Sequence, residues 1–219
     1  MASKNYIQLV NDVLIRLRES EVSSVNDNAY SKMIARFVND AKRNVEDAYN
    51  WNALSDTLTA DTTSGIFNYV LNGSGQRFRI YDVINDTTNV VLQYKTTEEM
   101  NRLFLTSDVA RGSPSFYNFN GTRADSGDTQ VDLYPIPNGV YSIRFNVCLP
   151  QPPLSLDADV LLVPDEPVLM LAFAKALAER GEDGGLASNE AYALYRTSLA
   201  DAIALESNRY PEEHVWDSV

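Results

Sequence analysis

The sequence predicts an α+β protein: a four-helix domain built from both ends of the chain, with an inserted antiparallel β-sheet or barrel domain. Residues 1–54 and 151–219 show the apolar spacing of three and four residues that is typical of amphipathic helices. Residues 55–150 instead contain short runs rich in β-branched and aromatic residues, separated by turn residues. We therefore expect residues 1–54 and 151–219 to form a helical assembly domain and residues 55–150 to form the inserted β domain.

The first two helices are predicted from apolar stripes. In "YIQLVNDVLIRLRE" the apolar residues recur at spacings of 3, 4 and 3, at Ile7, Val10, Leu14 and Leu17. The longer stretch "NAYSKMIARFVNDAKRNVEDAYNW" has a second stripe and carries charges of both signs on its other face. Asn26 or Asp27 is expected to cap this second helix.

The middle of the chain predicts five to seven antiparallel strands. Its apolar runs are "GIFNYVL", "RFRIYDVI", "NVVLQYKT", "SFYNFNG", "TQVDLYP" and "VYSIRFNVCL". The turn clusters between them are "NGSG", "NDTTN", "NGTRADSGD" and "IPNG". One short helix, "TTEEMNRLFL", is expected to interrupt the strands.

The last third predicts a proline-stiffened connection followed by two helices. The stretch "VPDEPVLMLAFAKALAERGED" has Asp165 or Glu166 as an expected cap and ends at Gly181. Between its ends it is apolar on every side, and Lys175 is the one charged residue from Val168 to Ala178. The final helix is predicted over "NEAYALYRTSLADAIALESNRY". A helix that is apolar all round has to be buried all round.

This excess of apolar surface predicts self-association. Four short helices of this composition leave apolar surface uncovered in a single chain, and exposed patches of several hundred Å² usually mark interfaces. We expect the subunit interface to include Leu169, Leu171 and Phe173. The residues therefore indicate an assembly protein and not an enzyme.

Catalytic, metal and cofactor sites are not expected. His214 is the single histidine and Cys148 the single cysteine, so a Ser-His-Asp or Cys-His device would depend on one histidine near the end of the sequence. A zinc site wants about four Cys or His ligands, or three with a carboxylate, which this composition cannot supply. The sequence also has no apolar run long enough to cross a bilayer, so no membrane partner is expected.

The charge is strongly acidic and unevenly spread. The net charge is −12, and residues 151–219 alone hold four basic and thirteen acidic residues. A solvated, solubilising surface accounts for this distribution. Sequence-specific DNA binding is disfavoured, because it requires a basic patch that neutralises phosphates.

The order of these features resembles the head-to-tail adaptor proteins of short-tailed bacteriophages, the family that includes tail tubular protein A. The similar stretches are "NDVLIRLRE", "EVSSVND", "VEDAYNWNAL", "PPLSLDADVLLVPDEP" and "LMLAFAKALAERG". The resemblance implies a virion protein of the phage neck and tail, made in the bacterial host cytoplasm, with no enzyme activity and no cofactor. It implies a ring of twelve copies below the portal protein. The helical parts would surround the DNA channel and the β parts would face the tail nozzle protein. In such a ring the acidic last third would line the channel and let DNA pass without specific binding, because every phosphate contact made must later be broken.

Residues 207–219, "SNRYPEEHVWDSV", allow two interpretations. Pro211 ends the preceding helix, and the polar stretch after it contains the large apolar residues Val215 and Trp216. Trp216 could fold back onto its own helical bundle. Alternatively Tyr210, Pro211, Val215 and Trp216 form a portal docking arm, as the resemblance suggests, since buried Trp side chains are frequent interface hot spots.

Two other classes of function remain open. The first is a phage tail or host-recognition protein whose β domain binds glycan, for which the aromatic residues of "SFYNFNG" would supply the stacking surface. The second is a hydrolase that uses carboxylates, which the single histidine and the lack of a nucleophile motif disfavour.

We predict that the protein does not bind duplex DNA tightly at physiological salt. The acidic charge and the lack of a basic stripe leave too few cations to displace counterions from the phosphates. A gel-shift assay at about 0.15 M salt, where the Debye length is ~8 Å, measures this. Micromolar or tighter binding would contradict the acidic-channel interpretation.

Overall fold

A computed structural model describes residues 4–181 and 185–209 of the chain. The helices are α1 (Tyr6–Arg16), α2 (Ala29–Ala48), α3 (Thr97–Phe104), α4 (Asp165–Arg180) and α5 (Leu186–Ser207). With the strands given below they make the protein α+β, which confirms the predicted fold class. The chain divides into two compact units. The described residues up to Leu54 and from Gln151 onward form one, here called the helical unit, and Ser55–Pro150 form the other, the β unit.

Helices α1 and α2 both begin with an asparagine that closes a capping box. The Asn5 side chain accepts a hydrogen bond from the backbone N–H of Gln8, and Asn28 does the same for Ser31. The predicted caps of α2, Asn26 and Asp27, were therefore wrong. The Asp27 carboxylate instead accepts hydrogen bonds from the Ser23 hydroxyl and from the backbone N–H groups of Ser23 and Ser24, and these bonds lower its pKa.

Helix α4 lies at the centre of the helical unit. It packs against α1, α2 and α5, which together cover its apolar surface. Pro164 occupies the N-cap position without a side-chain hydrogen bond, and Asp165 and Glu166 lie in the first turn, where their charge complements the helix dipole. Gly181 ends the helix in the left-handed conformation, at φ 63°. The buried residues of α4 are Pro167, Val168, Leu169, Leu171, Ala172, Ala174 and Ala176.

The connection that leads into α4 is fixed to α2 by side-chain hydrogen bonds. The Asn39 amide donates to the carbonyl of Leu154 at 3.0 Å and accepts from the Leu154 N–H at 2.8 Å. Asn39 also donates to the hydroxyl of Tyr6, which in turn donates to a carbonyl of α2. Burial raises the pKa of this tyrosine to about 12. These bonds satisfy backbone groups that have no partner in a helix or sheet.

A buried ion pair on α2 holds the start of the same connection. The Lys42 ammonium lies 2.8 Å from the Glu46 carboxylate, and the two side chains are 3% and 1% exposed. Lys42 also donates to the carbonyl of Gln151 at 2.7 Å, while Glu46 accepts from the Gln151 N–H at 3.2 Å. Near the same end of α2, the buried Trp51 indole donates to the carbonyl of Val45 at 2.7 Å. The chain is thus fixed to α2 both where it leaves the helical unit and where it returns.

The strands of the β unit form two four-stranded sheets and one two-stranded sheet. The strands are β1 (Ser55–Asp61), β2 (Asn68–Val70), β3 (Arg79–Asn85), β4 (Val90–Val91), β5 (Gln93–Tyr94), β6 (Arg111–Gly112), β7 (Phe116–Thr122), β8 (Thr129–Tyr134), β9 (Ile136–Pro137) and β10 (Ser142–Cys148). The strand orders are β1-β10-β3-β4, β2-β8-β7-β5 and β6-β9. The β5–β7 and β6–β9 pairs are parallel, which differs from the purely antiparallel expectation. The parallel pairs are each two residues long, so the longer ladders remain antiparallel.

The inner faces of the two larger sheets share one apolar core. Its fully buried members include Val131 and Leu133 of β8 and Ile143, Phe145 and Val147 of β10. These positions alternate along each strand, because successive side chains point to opposite faces of a sheet. Cys148 at the end of β10 is buried.

We predict that Lys42→Met strongly destabilises the helical unit. Removing the ammonium leaves the Glu46 carboxylate buried without its cation, which typically costs about 3–5 kcal/mol. Thermal and urea unfolding followed by circular dichroism measure the change.

The matched control is Arg102→Met in α3, because Glu98 and Arg102 form an ion pair with the same four-residue spacing but are 76% and 74% exposed. Exposed pairs contribute little, so this variant should unfold like the parent protein. Equal losses in the two variants would show that burial does not govern the Lys42 pair.

Candidate assembly surface

Helix α5 is the most weakly buried long helix of the described chain. It has 22 residues, of which Ala191 and Tyr195 are buried. Its main packing partner is α4. Because α4 covers only one side of this helix, several large apolar side chains of α5 remain exposed, while Leu199 and Ile203 are half-buried.

Four large apolar side chains of α5 are exposed. Leu186 is 72% exposed, Tyr192 50%, Leu194 57% and Leu205 76%. Burying one such side chain contributes about 1.5–3 kcal/mol, so leaving several on one helix is unfavourable unless another surface covers them. This pattern is typical of a protein interface.

A groove of about 370 Å³ runs between α4 and α5. Met170 from α4 and Leu194 and Leu205 from α5 give it an apolar lining. The remaining lining residues are Pro164, Asp165, Glu166, Pro167, Thr197, Ser198, Asp201 and Ala202. The groove therefore combines an apolar surface with carboxylates, and none of its described lining residues is basic.

The carboxylates of the groove differ in their partners. Asp165 forms an ion pair with Lys4 at 3.1 Å, and Lys4 also pairs with Asp12 at 2.8 Å. The hydrogen bond that the Lys4 ammonium donates to Asp12, followed by the one that it donates to Asp165, raises the pKa of the lysine despite partial burial. Within residues 4–181 and 185–209, Glu166 and Asp201 have no ion-pair partner.

One cation lies close to the groove. The guanidinium of Arg16 on α1 is 3.1 Å from the sulfur of Met170. It places a positive charge beside the α4 wall of the groove. The negative charge available to a partner therefore resides at Glu166 and Asp201.

The structure places the predicted interface residues of α4 mainly inside the chain. Leu169 is 2% exposed and Leu171 is 5% exposed, while Phe173 is half-buried. A contact with another copy at these positions stays a prediction, and the fold leaves the two leucines little surface to make one. The residues that sequence reasoning missed are the exposed leucines of α5. Their signal was the apolar run around Tyr192, which has no polar face opposite it.

The predicted docking arm lies outside the described residues. This applies to Tyr210, Pro211, Val215 and Trp216, and also to His214. Their role as a portal docking arm therefore rests on the sequence alone.

The aromatic residues of "SFYNFNG" are engaged inside the β unit. Tyr117 is 8% exposed and stacks edge-on against Phe119 and Phe145. Phe119 also packs against Phe78, and Phe116 lies beneath the Lys95 ammonium at 5.3 Å. These rings stabilise the β core and do not form an exposed platform on which a sugar ring could stack.

Reactive chemistry is sparse in the part of the chain that the structure covers. In these residues no three His, Cys, Asp or Glu side chains cluster closely enough to hold a metal ion. None of the helices described combines the length and the apolar character needed to span a membrane.

Comparison with known proteins gives one family match. The profile of the family described as SU10 adaptor protein matches residues 4–215, nearly the whole chain. A search of curated proteins finds no match.

Proposed function

The chain belongs to the SU10 adaptor protein family, and on this premise we propose that it is the repeating subunit of a ring that joins the portal protein of a phage head to the tail nozzle protein. The family consists of structural adaptor proteins of bacteriophages, so the protein is a virion component. The family is typically non-enzymatic. The proposed ring has twelve copies, and its subunits are made in the host cytoplasm.

The outer face of α5 carries this proposal. This 22-residue helix has two buried side chains and four large, well-exposed apolar ones. Leaving those four in water is unfavourable in free energy. A ring covers such a face in every subunit at once, because each copy has a neighbour on both sides. Phe173 on α4 can contribute to the same contact through its exposed part.

The acidic helical segments suit the passage of DNA. Residues 151–219 carry a net charge of −9, and multiplied around a ring this charge repels the phosphate backbone. DNA that moves through such a channel makes few contacts that must later be broken. We therefore propose that DNA passes through the ring without specific binding.

We predict that Leu194→Glu blocks assembly on the portal while the single chain stays folded. Leu194 is 57% exposed, so the carboxylate is hydrated in the free subunit, but it would be buried unpaired in the interface. A loss of ~3 kcal/mol or more is expected, about a hundredfold in affinity. The mass of the complex with purified portal rings measures the number of bound copies.

Leu105→Glu is the matched control, since Leu105 is 84% exposed and follows α3 in the β unit. It should assemble like the parent protein. Leu171→Glu is a second comparison: because Leu171 is 5% exposed, this variant should unfold and not merely fail to assemble. If Leu194→Glu loads the portal as well as the parent protein does, α5 is not the contact.

A second prediction concerns residues 211–219. If Val215 and Trp216 dock on the portal or on a neighbouring subunit, the entropic cost of ordering them is incurred only at assembly. Deleting residues 211–219 should then leave the unfolding temperature of the free chain unchanged and weaken portal attachment, measured by co-sedimentation. Undiminished attachment would contradict the docking arm. A large loss of stability would favour folding back onto the helical unit.

A further inference from the structure

The helical unit presents two outer faces of opposite charge on different helices. Helix α2 exposes Lys32 and Arg36, one turn apart, and the half-buried Met33 and Phe37 lie beside them. We call these four residues the α2 stripe. In the described part of the chain neither Lys32 nor Arg36 has an ion-pair partner.

The groove between α4 and α5 is the complement of the α2 stripe. It offers the unpaired carboxylates of Glu166 and Asp201 beside the apolar side chains of Met170, Leu194 and Leu205. Each surface thus combines two like charges with an apolar patch, and the charges of the two surfaces are opposite in sign. Such complementarity orients partners and excludes incorrect pairings.

The two surfaces belong to different sides of the helical unit. Both α2 and α5 pack on α4, and they do not pack extensively on each other. A single chain therefore cannot bring its own stripe into its own groove. The stripe and the groove can meet only between copies.

We propose that the α2 stripe of one copy occupies the α4–α5 groove of the next copy, with Lys32 and Arg36 facing Glu166 and Asp201. The contact is head-to-tail, since each copy contributes a different surface to each neighbour. Repetition of a head-to-tail contact produces a ring when the rotation closes. This inference rests on the proposed function and specifies which surfaces form the ring.

Charge reversal tests the pairing. Arg36→Glu and Asp201→Lys each place like charges across the interface, and each should lower the apparent affinity for assembly by about tenfold or more. Both positions are exposed, so both variants should keep the circular dichroism spectrum and unfolding temperature of the parent chain. Glu179→Lys and Arg123→Glu reverse charges at exposed positions outside the two surfaces and should leave assembly unchanged.

Mixing the two variants gives the decisive measurement. The reversed stripe of Arg36→Glu complements the reversed groove of Asp201→Lys, and their unaltered surfaces complement each other as in the parent protein. An equal mixture should therefore recover assembly that neither variant shows alone, measured by the mass of complexes formed on purified portal rings. A chain carrying both substitutions should recover it as well.

Two outcomes overturn the pairing. Normal assembly of Arg36→Glu would show that α2 is not in the contact, and loss with Asp201→Lys alone would then indicate pairing between two α5 helices. If both variants lose assembly and their mixture does not recover it, Arg36 and Asp201 do not face each other in the interface. In each case the parent protein still assembles, so the adaptor ring stands while the inference fails. A parent chain that never loads the portal overturns both.

Discussion

The burial of α4 is the constraint on which the helical unit depends. Its sixteen residues have no continuous polar face, and seven of them are buried. Removing such a helix from water requires partners on several sides, which α1, α2 and α5 supply. Since α1 and α2 come from the first 50 residues and α5 from the last part of the chain, this single requirement brings the two separated segments together.

Helix α5 covers one side of α4, and its own outward side is left exposed to solvent. The outer helix uses Ala191 and Tyr195 for burial and leaves its other apolar side chains in contact with solvent. Its exposure follows from its place at the edge of the unit, because one neighbouring helix can cover only part of a helical cylinder. The same geometry creates the groove along α4, where the side chains of the two helices diverge. The packing that buries α4 in the core therefore also leaves α5 exposed as a possible interface.

Polar contacts decide where the rest of the helical unit lies. The connection before α4 has backbone groups without partners in a helix or a sheet, and Asn39, Lys42 and Glu46 on α2 bind several of them. These side chains are buried or half-buried, so a different position of the connection would leave them unsatisfied. The acidic residues, in contrast, mostly remain in solvent.

The sequence by itself determined the α+β class, since the periodicities of helices and strands are local properties of neighbouring residues. It also revealed an excess of apolar surface, because the composition of α4 and α5 exceeds what four short helices can cover. The sequence could not show which side of each helix carries the excess apolar surface, because a helix that is apolar all round has no stripe to indicate which side faces its own core. Packing placed Leu169 and Leu171 inside and left Leu194 and Leu205 outside. Packing likewise made the β5–β7 pair parallel. Each of these choices depends on residues brought together by the folded chain, which no local pattern records.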